Sequence, residues 1–185
     1  ETDVGASRMI QLVNDILQLS HLDNVSETGA APAMETVDLL DVARECVERQ
    51  KVNARHSYIS LTYLGESAPV TGSRVLLDEL CQNLCDNAIR YNRPGGKVQI
   101  ITACTRDGHC TLTVKDNGIG IPKEAQTSVF ERFYRVDKSR SKATGGTGLG
   151  LAIVKHIARI HNARIKLDSV VDEGTTITVI FETAS

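Results

Sequence analysis

The stretches that say most about this chain are Asp116-Asn117-Gly118-Ile119-Gly120 and, further along, Gly145-Gly146-Thr147-Gly148-Leu149-Gly150-Leu151. The residues between them are rich in Lys, Arg, Ser and Thr. This order indicates a nucleotide site with a carboxylate for the base, exposed main-chain amides for the phosphates and a basic cover between the two. We therefore predict an ATP-binding domain.

The first stretch follows residues 111–114, whose β-branched character predicts a strand that ends at Asp116. A carboxylate at this point can accept a hydrogen bond from the exocyclic amine of adenine. The glycines at 118 and 120 would let the main chain approach a flat ring closely. A simple Asp-Asn-Gly turn explains this string equally well when it is taken alone.

The second stretch opens an amphipathic helix predicted from about Gly148 to His161, with Ile153, Val154, Ile157 and Ile160 on its apolar side. Main-chain amides at a helix N-terminus favour anions, so phosphates are the expected ligand. The string is not a P-loop, because no Gly-Lys-Ser/Thr follows. It is not the dinucleotide fingerprint either, and the protein-kinase strings are missing.

An earlier helix, predicted from Ser73 to about Tyr91, carries a polar face. At ~100° per residue, four polar side chains fall within ~80° of one another; they are Glu79, Asn83, Asn87 and Arg90. A solvated face would more often use Lys and Glu, because Asn is a poor helix former. The carbonyl oxygen of Asn suits a hard cation such as Mg²⁺, which also takes phosphate oxygens and water. We expect Arg90 to bring positive charge to the phosphates.

The cover between the two glycine stretches begins with Phe130-Glu131-Arg132-Phe133-Tyr134-Arg135 and continues through Lys138, Arg140 and Lys142. A segment this polar and basic is expected to be mobile and to become ordered when it closes over a polyphosphate. Its adjacent aromatic residues indicate contact with a partner.

The remaining periodicity predicts an α+β fold: a two-layer α/β sandwich whose mixed, mostly antiparallel sheet is covered on one face by three helices, plus an N-terminal helix. We divide the chain into a helix at 1–23, a linker at 24–34 and the main domain at 35–185. The wide apolar stripe of the N-terminal helix requires a partner. The other predicted elements are a helix from Leu39 to about Arg55, strands at 58–64 and 69–71, and hairpins at 97–115 and 164–182.

Composition narrows the function further. A net charge of -2 argues against a general nucleic-acid binder. No apolar run reaches the ~18 residues of a membrane helix. The cysteines are odd in number, and none forms a Cys-x-x-Cys pair. We therefore predict that the cysteines at 46, 81, 85, 104 and 110 are reduced and buried, and that they hold no metal.

These motifs resemble the catalytic and ATP-binding domain of bacterial sensor histidine kinases, within the ATPase superfamily that includes type II topoisomerases and heat-shock chaperones. The resemblance covers about residues 35 to 184. Its five ordered motifs are an N box at 83–91, a G1 box at 116–120, an F box at 130–135, a G2 box at 146–150 and a short last motif at 174–175.

The resemblance implies ATP and Mg²⁺ as ligands, with Asn83 on the metal, Asp116 on adenine and Arg135 near the γ-phosphate. The residues it implies at the nucleotide are Asn83, Asn87, Arg90, Tyr91, Asp116, Gly118, Gly120, Ile121, Tyr134, Arg135, Lys138, Gly146, Thr147, Gly148, Leu149, Gly150, Leu151 and Thr175. The implied catalytic residues are Glu79, Asn83 and Arg135. Glu79 is expected to tune the phosphate acceptor or the metal.

Two departures matter. Arg90 replaces a more usual Lys, which keeps the charge but changes its donor geometry. None of the five His lies in the acceptor motif of the family, in which an acidic residue follows the His. Residues 7–23 resemble the second helix of the dimerisation and phosphotransfer hairpin, so we expect the first helix, with the acceptor, to lie outside this sequence.

The resemblance thus implies a histidine kinase of two-component signalling, which passes phosphate to a His and then to an Asp of a response regulator. The expected partners are its own dimerisation helices, in a homodimer, and the receiver domain of that regulator. We expect a cytoplasmic domain of a protein anchored in the bacterial inner membrane. An ATP-binding interaction module without phosphotransfer is the alternative. A stand-alone serine kinase of the anti-sigma type would use the same pocket, but the N-terminal helix and the aromatic cover argue against it.

Overall fold

The computed structural model describes residues 2–28, 32–131, 134 and 149–182. The helices in these ranges are α1 (Thr2–Thr28), α2 (Leu39–His56), α3 (Arg74–Arg90) and α4 (Gly150–Ile160), with a short 3-10 turn at Lys123–Ala125. The strands are β1 (Glu35–Asp38), β2 (Ser60–Gly65), β3 (Pro69–Gly72), β4 (Lys97–Cys104), β5 (His109–Asp116), β6 (Arg164–Val170) and β7 (Gly174–Glu182). Side-chain caps start two of the helices: Asp38 accepts from the amide of Leu40 before α2, and Ser73 accepts from that of Leu76 before α3.

Five strands form the main sheet in the order β2-β4-β5-β7-β6. Only β2 and β4 pair in parallel, and the other neighbours are antiparallel. Both predicted hairpins are present, and their turns use left-handed backbone at Gly108, Asp172 and Gly174. A separate two-stranded sheet joins β1 to β3.

The core lies between this sheet and three helices. Alternate residues of β4, β5 and β7 are buried, and they meet the apolar sides of α2, α3 and α4. The strand residues that face the helices are Val98, Ile100, Cys110, Leu112, Val114, Ile177, Val179 and Phe181. The predicted two-layer α+β architecture is therefore confirmed.

Helix α1 packs on α4 through Leu19 and Leu22, which are both buried. Asp23 lies 3.5 Å from the imidazole of His156 on α4. The other side of α1 leaves apolar side chains exposed; these are Met9, Ile10, Val13, Ile16 and Leu17. Within the ranges given above, no helix is long and apolar enough to cross a membrane.

Three sequence predictions need correction. Helix α1 ends at Thr28 rather than at residue 23, because residues 24–28 contain neither Gly nor Pro and Gly29 comes only after them. Strand β1 was not predicted, since its four residues show too little alternation. Cys104 and Cys110 form a disulfide, because the register of the β4–β5 hairpin sets them directly opposite each other. The division into domains stays a prediction.

Candidate nucleotide-binding site

Asp116 stands at the end of β5 and is fixed there by main-chain hydrogen bonds. Its Oδ1 accepts from the amide of Gly118 at 2.8 Å and from the amide of Thr175 at 3.2 Å. Burial raises the pKa of this carboxyl to about 6, although both hydrogen bonds act to lower it. In the described part of the chain no group donates to Oδ2, so this oxygen is available to a ligand.

The glycines of the first stretch are required by contacts within the protein. A Cβ on Gly118 would lie 2.4 Å from the carbonyl oxygen of Tyr91, at the end of α3. Gly120 has a φ of +73°, and a Cβ there would lie 2.2 Å from the carbonyl oxygen of Val170. The main chain at 118–120 is thus pressed between α3 and the end of β6. This differs from the predicted reason, which was close approach to a flat ring.

Gly174 has a similar role on the neighbouring strand. Its φ is +132°, and a Cβ at this position would lie 2.1 Å from the carbonyl oxygen of Asp116. Only glycine allows β7 to start this close to the end of β5, and this approach brings the amide of Thr175 to Asp116. The short motif Gly174-Thr175 therefore belongs to the support of the Asp116 carboxylate.

Two polar residues that were not predicted from the sequence stabilise the loop after β5 through hydrogen bonds. Ser169 on β6 accepts from the amide of Ile121 at 2.8 Å, and its Oγ lies 2.8 Å from Oγ1 of Thr175. The side-chain amide of Gln126 donates to the carbonyl oxygens of Ile121 and Ser169, both at 3.0 Å. Neither Ser169 nor Gln126 lies in a recognisable motif, so the sequence gives no signal for them.

The polar face of α3 forms the other wall. The amide nitrogen Nδ2 of Asn83 donates to the carbonyl of Glu79 at 2.9 Å. This bond fixes the amide so that Oδ1 points towards α4, where it lies 3.5 Å from the position a Cβ on Gly150 would take. An acceptor oxygen therefore faces the N-terminus of α4. Arg90 pairs with Asp86 on its own helix at 3.1 Å.

These elements enclose a pocket of about 300 Å³. Of the predicted nucleotide residues, it is lined by Asn83, Asn87, Arg90, Tyr91, Asp116, Gly120, Ile121, Tyr134, Gly150, Leu151 and Thr175. Gly118 and Leu149 are buried but do not line it. Glu79 lines an adjoining cavity of about 590 Å³, which it shares with Asn83 and Arg90. Arg135, Lys138, Gly146, Thr147 and Gly148 lie outside the described residues.

The pocket is polar at its two ends and apolar in its floor. Val114, Ile121 and Ile177 supply apolar surface around the Asp116 carboxylate. Such a floor suits a planar heterocycle, because it offers dispersion contacts while one polar group fixes orientation. At the opposite end, α4 begins at Gly150, which lines the pocket beside Asn83.

Helix α1 contributes a wall that was not predicted. Gln11 donates to Oδ1 of Asp15 at 2.9 Å, and both residues line the pocket as well as the adjoining cavity. Asp15 is only 6% exposed. The sequence could not reveal this contact, because it depends on how α1 docks on α4.

The oxygen of Asn83 suits a Mg²⁺ ion whose coordination shell comes mainly from a bound ligand and water. Among the described residues there is no group of three His, Cys, Asp or Glu side chains that could hold a metal ion. Mg²⁺ commonly takes one or two protein oxygens and completes its shell with phosphate oxygens and water. The Oδ1 of Asn83 matches that requirement.

One pocket is thus bounded by a carboxylate beside an apolar floor, by a helix that carries Asn and by the N-terminus of a helix that begins with Gly. These features together define a class of ATPases. The profile of the family described as "Histidine kinase-, DNA gyrase B-, and HSP90-like ATPase" matches residues 72–185, and the chain belongs to this family. Its relatives and structural neighbours place it with the sensor histidine kinases.

The sensor-like histidine kinase SenX3 of Mycolicibacterium smegmatis is 45% identical over 177 residues, which span 93% of this chain and 44% of that protein. The sensor protein kinase WalK of Staphylococcus saprophyticus is 39% identical over 171 residues, which span 92% of this chain and 28% of that protein. The solved structure of the mycobacterial sensor histidine kinase MprB has a TM-score of 0.70 and 32% identity, and the match covers 81% of this chain and 97% of that one. The chain thus spans less than half the length of these curated relatives.

Proposed function

We propose that this domain binds Mg-ATP in the pocket between Asp116 and Asn83 and presents the γ-phosphate to a histidine of a dimerisation and phosphotransfer hairpin. The observation that carries the proposal is the polarity of the pocket. A carboxylate oxygen lies at one end, beside the apolar floor, and an amide oxygen faces the α4 N-terminus at the other end. An adenine nucleotide carries complementary groups in the same order, with an amine-bearing base at one end and a charged polyphosphate at the other.

Each end has a distinct task. Asp116 accepts a hydrogen bond from the adenine amine through Oδ2, while Gly118 and Thr175 hold its Oδ1. The first amides of α4, at Gly150 and Leu151, receive the phosphates. Mg²⁺ bound by Asn83 would neutralise phosphate charge. Arg90 reaches the phosphates by leaving Asp86, and Glu79 tunes the acceptor or the metal from the adjoining cavity.

Other parts of the proposal come from the family resemblance. Arg135 and Lys138 would approach the phosphates, and Gly146, Thr147 and Gly148 would supply further amides. The exposed apolar side of α1 supports pairing with the dimerisation helices in a homodimer. The phosphate would then pass to an Asp of a response regulator. We further propose that the domain is cytoplasmic and that the whole protein is anchored in the bacterial inner membrane.

The proposal is tested by calorimetry and by phosphate transfer. ATP should bind with higher affinity in the presence of Mg²⁺ than with a chelator. Incubation with labelled ATP should leave the chain unlabelled, because His21, His56, His109, His156 and His161 all lie outside an acceptor motif. Addition of a helical hairpin that carries the motif should produce acid-labile label on the hairpin.

The alternative is a module that binds ATP without transferring phosphate. The lack of an acceptor motif among the five His also agrees with that alternative. The two are distinguished by the hairpin experiment, since a pure binding module would leave every added hairpin unlabelled. Label on a histidine of this chain would contradict both.

A further inference from the structure

An ion pair at the base end of the nucleotide pocket joins two segments that are far apart in sequence. The guanidinium of Arg93, just after α3, donates to Oδ1 of Asp172 in the turn between β6 and β7, at 2.5 Å. The two residues are 79 positions apart. Asp172 lines the pocket together with its neighbour Val171. The ion pair therefore lies at the rim of the pocket.

Main-chain hydrogen bonds complete a closed ring through the loop after β5. The amide of Ile119 donates to the carbonyl oxygen of Tyr91 at 3.1 Å, and the amide of Asp172 donates to the carbonyl oxygen of Ile119 at 2.8 Å. Tyr91 and Arg93 are two residues apart in the chain, so the ion pair closes the ring. To move away from the loop, the turn must therefore break both the ion pair and its hydrogen bond to Ile119.

The turn carries an apolar side chain that a bound base would cover. Val171 is 50% exposed, although it lines the pocket. Its Cα lies 2.8 Å from the position that a Cβ on Gly120 would take, so the turn packs closely on the loop. A planar base beside Val171 would remove apolar surface from water, which favours binding. This contribution requires the turn to stay beside the loop.

We propose that Arg93 and Asp172 are positioning residues for the base of the nucleotide, because their ion pair holds the turn at 170–174, with Val171, beside the loop at 118–120. The proposal rests on the proposed Mg-ATP function and adds two residues to its base end. Without the ion pair the turn opens more often, Val171 leaves the base, and the base dissociates faster. The contacts proposed for the phosphates, at Asn83 and the start of α4, do not pass through this ring.

The exposure of the ion pair sets the size of the effect. The side chains of Arg93 and Asp172 are 52% and 74% exposed. Exposed ion pairs contribute little to global stability, and salt screens them. We therefore expect loss of the pair to weaken adenosine binding about two- to fivefold and to leave the midpoint of thermal unfolding nearly unchanged. A pair that served only to stabilise the fold would lower that midpoint and leave the affinity of the folded chain unchanged.

The test uses substitutions that remove a charge and keep the backbone. Asp172 has a φ of 67°, a left-handed conformation that Asn also tolerates, so Asp172→Asn should leave the turn intact. Arg93→Gln removes the other charge, and Arg93→Lys keeps it. Calorimetry should show weaker adenosine binding in both neutral variants and recovery of most of the native affinity in Arg93→Lys. The double neutral variant should lose little more than either single one, because all three lack the same ion pair.

Hydrogen exchange tests the ring without any ligand. In Arg93→Gln the amides of Ile119 and Asp172 should exchange faster than in the native chain, because their hydrogen bonds belong to the ring. The amide of Leu39 donates to the carbonyl oxygen of Ala68 at 2.9 Å, and neither residue lines the pocket. This amide is the internal reference and should exchange at the native rate.

Lys51→Gln is the matched control. Lys51 pairs with Glu48 on α2 at 2.8 Å, the two side chains are 49% and 63% exposed, and neither lines the pocket. This variant should keep the native adenosine affinity and the native exchange rates of Ile119 and Asp172. An equal loss of affinity in Lys51→Gln would overturn the proposal.

The two readouts also separate this proposal from the proposed function. Native affinity in both neutral variants would overturn the positioning role, whether or not the exchange rates change. Native exchange rates in Arg93→Gln would show that the ion pair does not hold the turn, and would overturn it as well. A native chain that binds no adenosine would instead contradict the proposed function, and the exchange rates would still decide whether the ion pair holds the turn.

Discussion

Oδ1 of Asp116 and the amide of Thr175 are hydrogen-bonded across 59 residues of sequence, at 3.2 Å. The bond fixes one oxygen of the carboxylate against the protein and turns the other towards the pocket. A buried negative charge costs stability unless it is fully paired. The charged carboxylate is therefore needed for base recognition but lowers the stability of the fold, so base recognition and stability make opposite demands on this side chain.

Asp116→Asn separates these demands. The Asn Oδ1 can still accept from Gly118 and Thr175, while its amide nitrogen would present a donor to the donating amine of adenine. We expect the free energy of unfolding at pH 7 to rise by roughly 1–3 kcal/mol and ATP binding to be lost. Denaturant unfolding and calorimetry measure the two effects. A variant that binds ATP as tightly as the native chain would remove Asp116 from base recognition.

Adenosine binding should depend on the ionisation of Asp116. Its pKa is raised from 3.8 to about 6, so the carboxyl becomes protonated as the pH falls through that value. We expect adenosine affinity to fall by up to about tenfold per pH unit below 6. Adenosine is used because it has no phosphate that titrates in this range. An affinity that stays constant from pH 8 to about 5 would contradict the prediction.

The same raised pKa has a defined effect on stability. Protonation is easier in the folded chain than in the unfolded one, so the stability gained from Asp116 is complete below pH 3.8 and is lost as the pH rises through about 6. Chemical unfolding of the native chain and of Asp116→Asn across this window should converge at acid pH. Curves that stay parallel would show that the carboxyl is not perturbed.

Asn83→Ala should remove the magnesium-dependent part of ATP binding and leave the fold intact. The side chain offers one oxygen to the pocket, and among the described residues its single hydrogen bond is to its own helix. We expect Mg-ATP affinity to fall about 10- to 100-fold, with little change when a chelator is present. Asn53→Ala is the matched control, since Asn53 is an exposed asparagine on α2 that does not line the pocket.

His161 should make the fold sensitive to acid. Its Nδ1 lies 2.7 Å from the carbonyl oxygen of Ile157, to which it donates, and Nε2 accepts from the amide of Ser73 at 3.1 Å, so the ring must be neutral. Burial lowers its pKa below 6.5. The stability from this group is therefore present above pH 6.5 and is lost as the pH falls through the folded pKa. His161→Gln should lack this part of the pH dependence of unfolding, and an unchanged slope would contradict it.

Two glycines of the pocket should respond differently to alanine. Gly120 has positive φ and no room for a Cβ, whereas the nearest atom to a Cβ on Gly150 is Oδ1 of Asn83, at an ordinary contact distance of 3.5 Å. We expect Gly120→Ala to cost about 1–3 kcal/mol of stability and Gly150→Ala to leave thermal unfolding nearly unchanged. Equal destabilisation by both would show that the loop at 118–120 can relax.

Local patterns predicted much of this molecule. The apolar periodicity of α2, α3 and α4 and the turns of both hairpins appear directly in the sequence, and so do the polar face of α3 and the carboxylate at the end of β5. The contacts that depend on tertiary docking could not be predicted from the sequence. Asp15 reaches the pocket only because Leu19 and Leu22 pack α1 against α4. The β6–β7 hairpin was predicted, but the hydrogen bond from the amide of Ile121 to Ser169 joins residues 48 positions apart, and no local pattern encodes it.

Strand β7 is the last in sequence of the seven strands described, yet it lies between β5 and β6 in the sheet. During synthesis on a ribosome, β6 has no sheet neighbour until β7 has emerged, and β5 keeps an open edge for the same interval. The carboxylate at the end of β5 would meanwhile lack the amide of Thr175. The sheet is therefore completed at the same step at which the adenine site forms. A nascent chain stopped before Gly174 should expose an unpaired strand edge that is prone to aggregation, and it should have no affinity for adenine.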